Sequence, residues 1–198
     1  MIATPANSRT ADYPIEPFFL DRWSPRAFRP QPIAEVDLMT MLEAARWAAS
    51  SSNMQPWRFV YARRDTRAWL PLLDLLVPNN REWAQHASAL VFFVSHELMP
   101  SRSSADLIPS PTHSYDTGTA SGYFALQAQL MGWHAHGMYG FDHVRSAEVL
   151  RTPPHHHIEA AYAVGRIGDA SALPKALQGR EVPSGRLPLA ELVHEGSF

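Results

Sequence analysis

Residues 89–95, Ala-Leu-Val-Phe-Phe-Val-Ser, form an unbroken apolar run of strand length. Successive side chains of a strand point to opposite faces, so a strand that is apolar at every position must be covered on both. This run predicts a buried strand inside a sheet with helices on each side. The flanking sequence supplies candidate partners. Leu38, Met41, Leu42, Ala45, Ala48 and Ala49 recur at three- and four-residue steps, which is one apolar stripe of a helix. Glu35 and Asp37 suit its positive N-terminal end.

Residues 57–61 read as a strand. Trp69, Leu72, Leu73 and Leu76 mark a further helix, with Pro71 tolerable in its first turn and Asn79 and Asn80 ending it. A short segment around Trp83 follows. Tyr123, Leu126, Gln127, Leu130 and Met131 predict a long helix that Gly132 can cap. Residues 134–139 and 158–164 read as strands, with a short helix over 144–150 between them. Phe18, Phe19 and Leu20 predict a short helix stopped before Pro25. Residues 96–114 are rich in Ser and Pro, which predicts a functional lid or a disordered connection. The resulting class is an α+β sandwich, a central mixed sheet with helices on both faces and an extended C-terminal arm. No repeat and no second domain are visible. Residues 1–17 read as a flexible polar arm, and 18–198 as a single domain.

Composition narrows the function. Net charge is −2, so nucleic acid is not expected as a partner. The absence of cysteine excludes disulfides, thiolate nucleophiles and Cys-based metal sites. It fits a reducing compartment, and a cytoplasmic location is the expectation. No apolar run reaches the roughly 20 residues of a membrane span. Charged residues make up 18%, below the roughly 25% of average domains, and six Trp, nine Phe and six Tyr must be accommodated. That balance predicts further surface buried between subunits.

Four polar clusters stand out. Arg22, Ser24 and Arg26 alternate, and two guanidiniums with a hydroxyl suit a phosphate. Taken alone, they read better as a solvated basic face. Ser50, Ser51, Ser52 and Asn53 break the helix and offer hydroxyls, an amide and free N–H groups, with Gln55 adding a second amide before Pro56. An ordinary helix-to-strand loop would look the same. Tyr139-Gly140 ends a strand where a flat ligand can approach the backbone, or where the chain simply turns. Arg186 lies in a late Ser-Gly-Arg-Leu-Pro stretch and reads equally as an exposed tail arginine.

Together these blocks resemble the FMN-dependent nitroreductase family. The resemblance rests on Arg22-Trp-Ser-Pro-Arg-Ala-Phe28, on Glu43-Ala-Ala-Arg-Trp-Ala, and on Ser-Ser-Asn-Met-Gln-Pro-Trp-Arg-Phe59. It continues through Asn80-Arg-Glu-Trp83, Tyr115-Asp-Thr-Gly118, His136-Gly-Met-Tyr-Gly-Phe-Asp142 and the Gly-Arg-Leu-Pro-Leu189 stretch. The resemblance implies a domain-swapped homodimer with FMN at the subunit interface, NAD(P)H as hydride donor and a small organic acceptor. It implies that Arg22, Trp23, Ser24 and Arg26 hold the phosphate, ribityl chain and pyrimidine edge. Ser50, Ser51, Asn53 and Gln55 would approach from the partner subunit. Tyr139 and Gly140 would donate near flavin N5, Arg186 would reach the phosphate, and Asn80 is a weaker assignment. Two positions depart from the family pattern: Ala49 stands where proline is usual, and Ser184 where some members carry a second basic residue. No side-chain acid or base is required, so no catalytic residue is named. The competing expectation is a non-catalytic flavin- or metal-binding module. It rests on His134, His136, His143 and the consecutive His155, His156 and His157, which lack an accompanying acidic pattern.

Overall fold

The apolar run becomes β2 (Ala89–His96), paired on both edges and buried along nearly its whole length. A computed structural model describes residues 7–101 and 103–198. Its four-stranded sheet has the order β1 (Trp57–Arg63), β2, β6 (His156–Gly165), β5 (His134–Met138). Alternation along β2 divides the interior in two. Leu90, Phe92 and Val94 pack into one cluster with Trp69, Leu72 and Trp83. Ala89, Val91 and Phe93 pack into the other with Leu38, Met41 and Phe124. Phe93 anchors the second layer, its ring 5.1 Å from Phe59, 5.4 Å from Phe124 and 5.0 Å from Tyr162.

Each layer has its own helices. α2 (Glu35–Arg46) buries Leu38, Met41, Leu42 and Ala45, the predicted stripe, and packs against α5 (His113–Leu130). The opposite face is covered by α3 (Trp69–Leu73) and α4 (Pro78–Ala84). α1 (Pro17–Asp21), α6 (His143–Val149) and α7 (Lys175–Gln178) are short surface helices. A polar cluster fixes the start of α5. Ser95 Oγ donates to Glu159 Oε1 at 2.6 Å and lies 2.8 Å from His113 Nδ1, while Ser114 Oγ donates to the same carboxylate at 2.7 Å.

Several expectations are corrected. Every pairing in the sheet is antiparallel, not mixed. α3 and α4 together return the chain to the end of β1 that it left, so Arg63 faces Ala89. Asn79 and Asn80 open α4 behind Pro78 rather than ending α3, because Pro is well suited to the first helical turn. Leu76 leaves α3 for a bridge with Phe141. The first helix stops at Asp21, three residues earlier than proline alone required. The 96–114 connection contains a small hairpin, β3 (Leu98–Pro100) with β4 (Leu107–Pro109). Its strands are too short to show periodicity. β6 begins at His156, two residues before the predicted strand over 158–164, and His155 sits in a left-handed turn at φ 59°.

Candidate anion and cofactor site

Beyond α1 the backbone is extended, and residues alternate between interior and surface. Trp23, Pro25 and Ala27 are buried. Arg22, Ser24 and Arg26 project from the other side and are half-buried. Arg22 Nη1 lies 3.4 Å from Ser24 Oγ. The indole of Trp23 packs in the interior, so only its backbone faces the cluster side.

Two interior groups hold this segment. His136 Nδ1 lies 2.9 Å from the Pro25 carbonyl, which requires the proton on that nitrogen, and its ring stacks 4.6 Å from Trp83. Burial, reinforced by the charge of Arg26, pushes His136 down to about 4 against the pull of that carbonyl, so the ring is neutral at pH 7. Buried Glu181 accepts from the N–H groups of Arg26, at 2.7 Å, and Ala27, at 2.8 Å, through Oε1. Burial and the neighbouring Arg180 lower the pKa of Arg26, opposed by Glu181.

The C-terminal arm returns to the same place. Arg186 is exposed and, among the described residues, bonds to nearby oxygens of its own turn, Ser184 and Gly185. Burial and then the Arg186 charge lower the pKa of Arg22. Among the described residues, neither Arg22 nor Arg186 forms a salt bridge to a carboxylate. A guanidinium remains charged in this range, so two cations and a hydroxyl share one place without a counter-ion. That donor set fits a phosphate.

The serine loop is a tight 3-10 turn at Ser51–Asn53. Ser52, Asn53 and Gln55 adopt φ of 51°, 56° and 49°, a left-handed region uncommon for residues with side chains and concentrated at functional sites. The turn is over-determined by polar contacts. Ser50 Oγ accepts from the Gln55 N–H at 3.0 Å, Gln55 Nε2 donates to the Asn53 carbonyl at 3.1 Å, and the Ser51 N–H donates to buried Asp116 at 3.2 Å. Ser51, Asn53 and Gln55 remain exposed, Ser50 half-buried. Gln55 also borders a shallow groove of about 480 Å3 lined by Met54, Trp57, Arg58 and Phe59.

At the end of β5, Asn80 Nδ2 donates to the Gly140 carbonyl at 3.0 Å. A Cβ at Gly140 would stand 2.6 Å from Asn80 Nδ2 and 3.0 Å from Val77, which explains glycine there. Tyr139 is exposed beside His143, ring centroids 4.6 Å apart.

Within one chain, the structure therefore joins Arg22, Ser24, Arg26 and Arg186 around one segment, and Asn80 with Tyr139 and Gly140 around another. The contacts of Ser50, Ser51 and Gln55 given above stay within the loop or go to Asp116. Sequence reasoning missed Glu181, an acid in a turn-rich tail with no local signal, and the anchoring role of His136.

An antiparallel sheet between two helical layers, with an extended arginine segment along one side, defines an α+β sandwich. Residues 20–166 match the profile described as the nitroreductase family, and the chain belongs to that family. A crystal structure described as an oxidoreductase containing FMN is 47% identical, covers 99% of this chain and 98% of its own, and has a TM-score of 0.94. A structure provisionally named a nitroreductase in complex with FMN, from Desulfovibrio desulfuricans, shares the fold at 23% identity, covering 95% of this chain and 99% of its own with a TM-score of 0.70. A Rhodopseudomonas palustris protein provisionally named NADH dehydrogenase/NAD(P)H nitroreductase is 25% identical over 153 residues, 70% of this chain and 77% of its own.

Proposed function

We propose that the protein is an FMN-dependent oxidoreductase that takes hydride from NADH or NADPH and passes it to a small organic acceptor such as a nitroaromatic, a quinone or an activated alkene. The observation that carries this reading is the half-buried Arg22–Ser24 pair beside Arg186, a phosphate-type donor set without a carboxylate partner. The 47% identical relative described as containing FMN supports the same cofactor here. Bound FMN would supply the redox chemistry, accepting and donating hydride in turn.

The chain's own residues would bind and tune it. Arg22 and Arg186 would hold the phosphate, with Ser24 donating beside them. Arg26, with its backbone pinned by Glu181, would place positive charge at the pyrimidine edge and favour the more negative reduced form. Tyr139 and Gly140 would present backbone N–H groups toward the reactive centre of the ring. The Ser50–Gln55 loop would complete the site from a second subunit. Exposed apolar surface supports that dimer: Val182, Leu187, Leu192 and Val193 on the C-terminal arm, with Trp47 and Tyr115 elsewhere, remain uncovered. No helix among the described residues is long and apolar enough to cross a membrane. Chromatography of the released cofactor is the test. FMN is expected, since two arginines on a terminal phosphate read a mononucleotide, and FAD would overturn the assignment.

A further inference from the structure

The N-terminal segment carries a cation that the sequence left unassigned. Arg9 is half-buried and spends its guanidinium on three backbone carbonyls from two distant parts of the chain. Its Nη1 donates to Leu20 at 2.8 Å and to Arg22 at 2.7 Å, and its Nε donates to Ser184 at 2.7 Å. The first carbonyl lies in the last turn of α1, and the second is that of Arg22 itself, the residue that follows the helix. The third lies two residues before Arg186. One planar fork therefore ties the main chain at Arg22 to the main chain at Ser184. Asn7 adds a second tie, donating to the Leu20 carbonyl at 3.1 Å and to Asp21 Oδ1 at 2.9 Å, and Asp12 accepts from the Leu189 N–H at 2.7 Å. The first residues of the described chain thus run along the C-terminal arm and hold it against α1.

Burial, and then the charges of Arg186 and Arg22, lower the pKa of Arg9. Bringing like charges together is unfavourable unless an anion offsets them.

We infer that Arg9 is a positioning residue of the phosphate site: its fork locks the Arg22 and Ser184 carbonyls in one frame, setting the spacing of Arg22 and Arg186 for a terminal phosphate. This rests on the FMN reading, and riboflavin, which has the same ring and ribityl chain but no phosphate, separates the two. Lysine retains the charge but cannot reach three carbonyls in fixed directions.

The test is equilibrium titration of the apoprotein with FMN and with riboflavin, followed by flavin fluorescence, for wild type, Arg9→Met and Arg9→Lys. Loss of charge-assisted bonds predicts FMN binding weakened about tenfold or more in Arg9→Met. Arg9→Lys should recover little of it, and riboflavin affinity should stay within about twofold in all three proteins. Equal loss of FMN and riboflavin would make Arg9 a structural tie only and overturn the inference. Full rescue by lysine would show that charge rather than position matters, and would also overturn it. Should Arg9→Met fail to fold, the Arg9→Lys comparison decides by the same FMN-to-riboflavin ratio. Failure of wild type to bind FMN at all would instead bring down the cofactor assignment, and this inference with it.

Discussion

The two arginines of the extended segment sit in different company, and that difference is testable. Arg22 has Ser24 and Arg186 beside it, whereas Arg26 has buried Glu181 behind its backbone and Arg180 alongside. Arg26→Ala should lower the flavin reduction potential and slow reduction by NAD(P)H even at saturating FMN. Arg22→Ala should mainly weaken FMN binding, by a charge-assisted contact of about 1.5–3 kcal/mol, and leave the potential of the bound fraction nearly unchanged. Spectroelectrochemical titration with FMN in excess distinguishes them, and the reverse pattern would exchange the two roles. His136 and His134 give a second residue-scale prediction. Burial holds both at about 4 in the folded chain, His134 further lowered by Arg166 and Arg22, against roughly 6.5 when unfolded. The unfolded state therefore binds protons first as pH falls, so their contribution is intact above pH 6.5 and is lost progressively toward pH 4. Thermal melts of the apoprotein should show falling Tm across that window. His136→Gln should flatten the slope, and an unchanged slope would mean that His136 is not the buried neutral group described.

At the scale of elements, the junction of α4 with the end of β5 is set by one glycine. Gly140→Ala would force Asn80 and Val77 aside and break the Asn80–Gly140 hydrogen bond, at a cost of about 1–3 kcal/mol of stability. Denaturant unfolding would measure it, and a neutral result would show that α4 can move away. What was legible at this scale follows the physics of each element. The α2 stripe and the all-apolar β2 were readable because burial imposes a period of its own. Strand direction was not, because the apolar pattern of β6 is the same whether it runs up or down beside β2. The β3–β4 hairpin was unreadable in three-residue strands. The arginine and serine clusters were visible as residue types. Their supports were not, since Glu181 and Arg9 act across 155 and 175 residues of sequence, in the bonds to Arg26 and Ser184.

For the whole molecule, the account requires two chains. The C-terminal segment leaves Leu187, Leu192 and Val193 exposed. Sedimentation at micromolar concentration should give a dimer. Deleting residues 182–198 removes Ser184 and Arg186 together with that apolar surface, so it should release flavin and weaken the dimer. A flavin-loaded, well-folded monomer would contradict this. The most direct test of the oxidoreductase reading is anaerobic mixing of the purified protein with NADH or NADPH while the visible flavin absorption is followed. The account predicts that at least one donor bleaches the protein-bound FMN, and that a nitroaromatic or quinone then restores the absorption. A flavin-loaded protein that neither donor bleaches would contradict it.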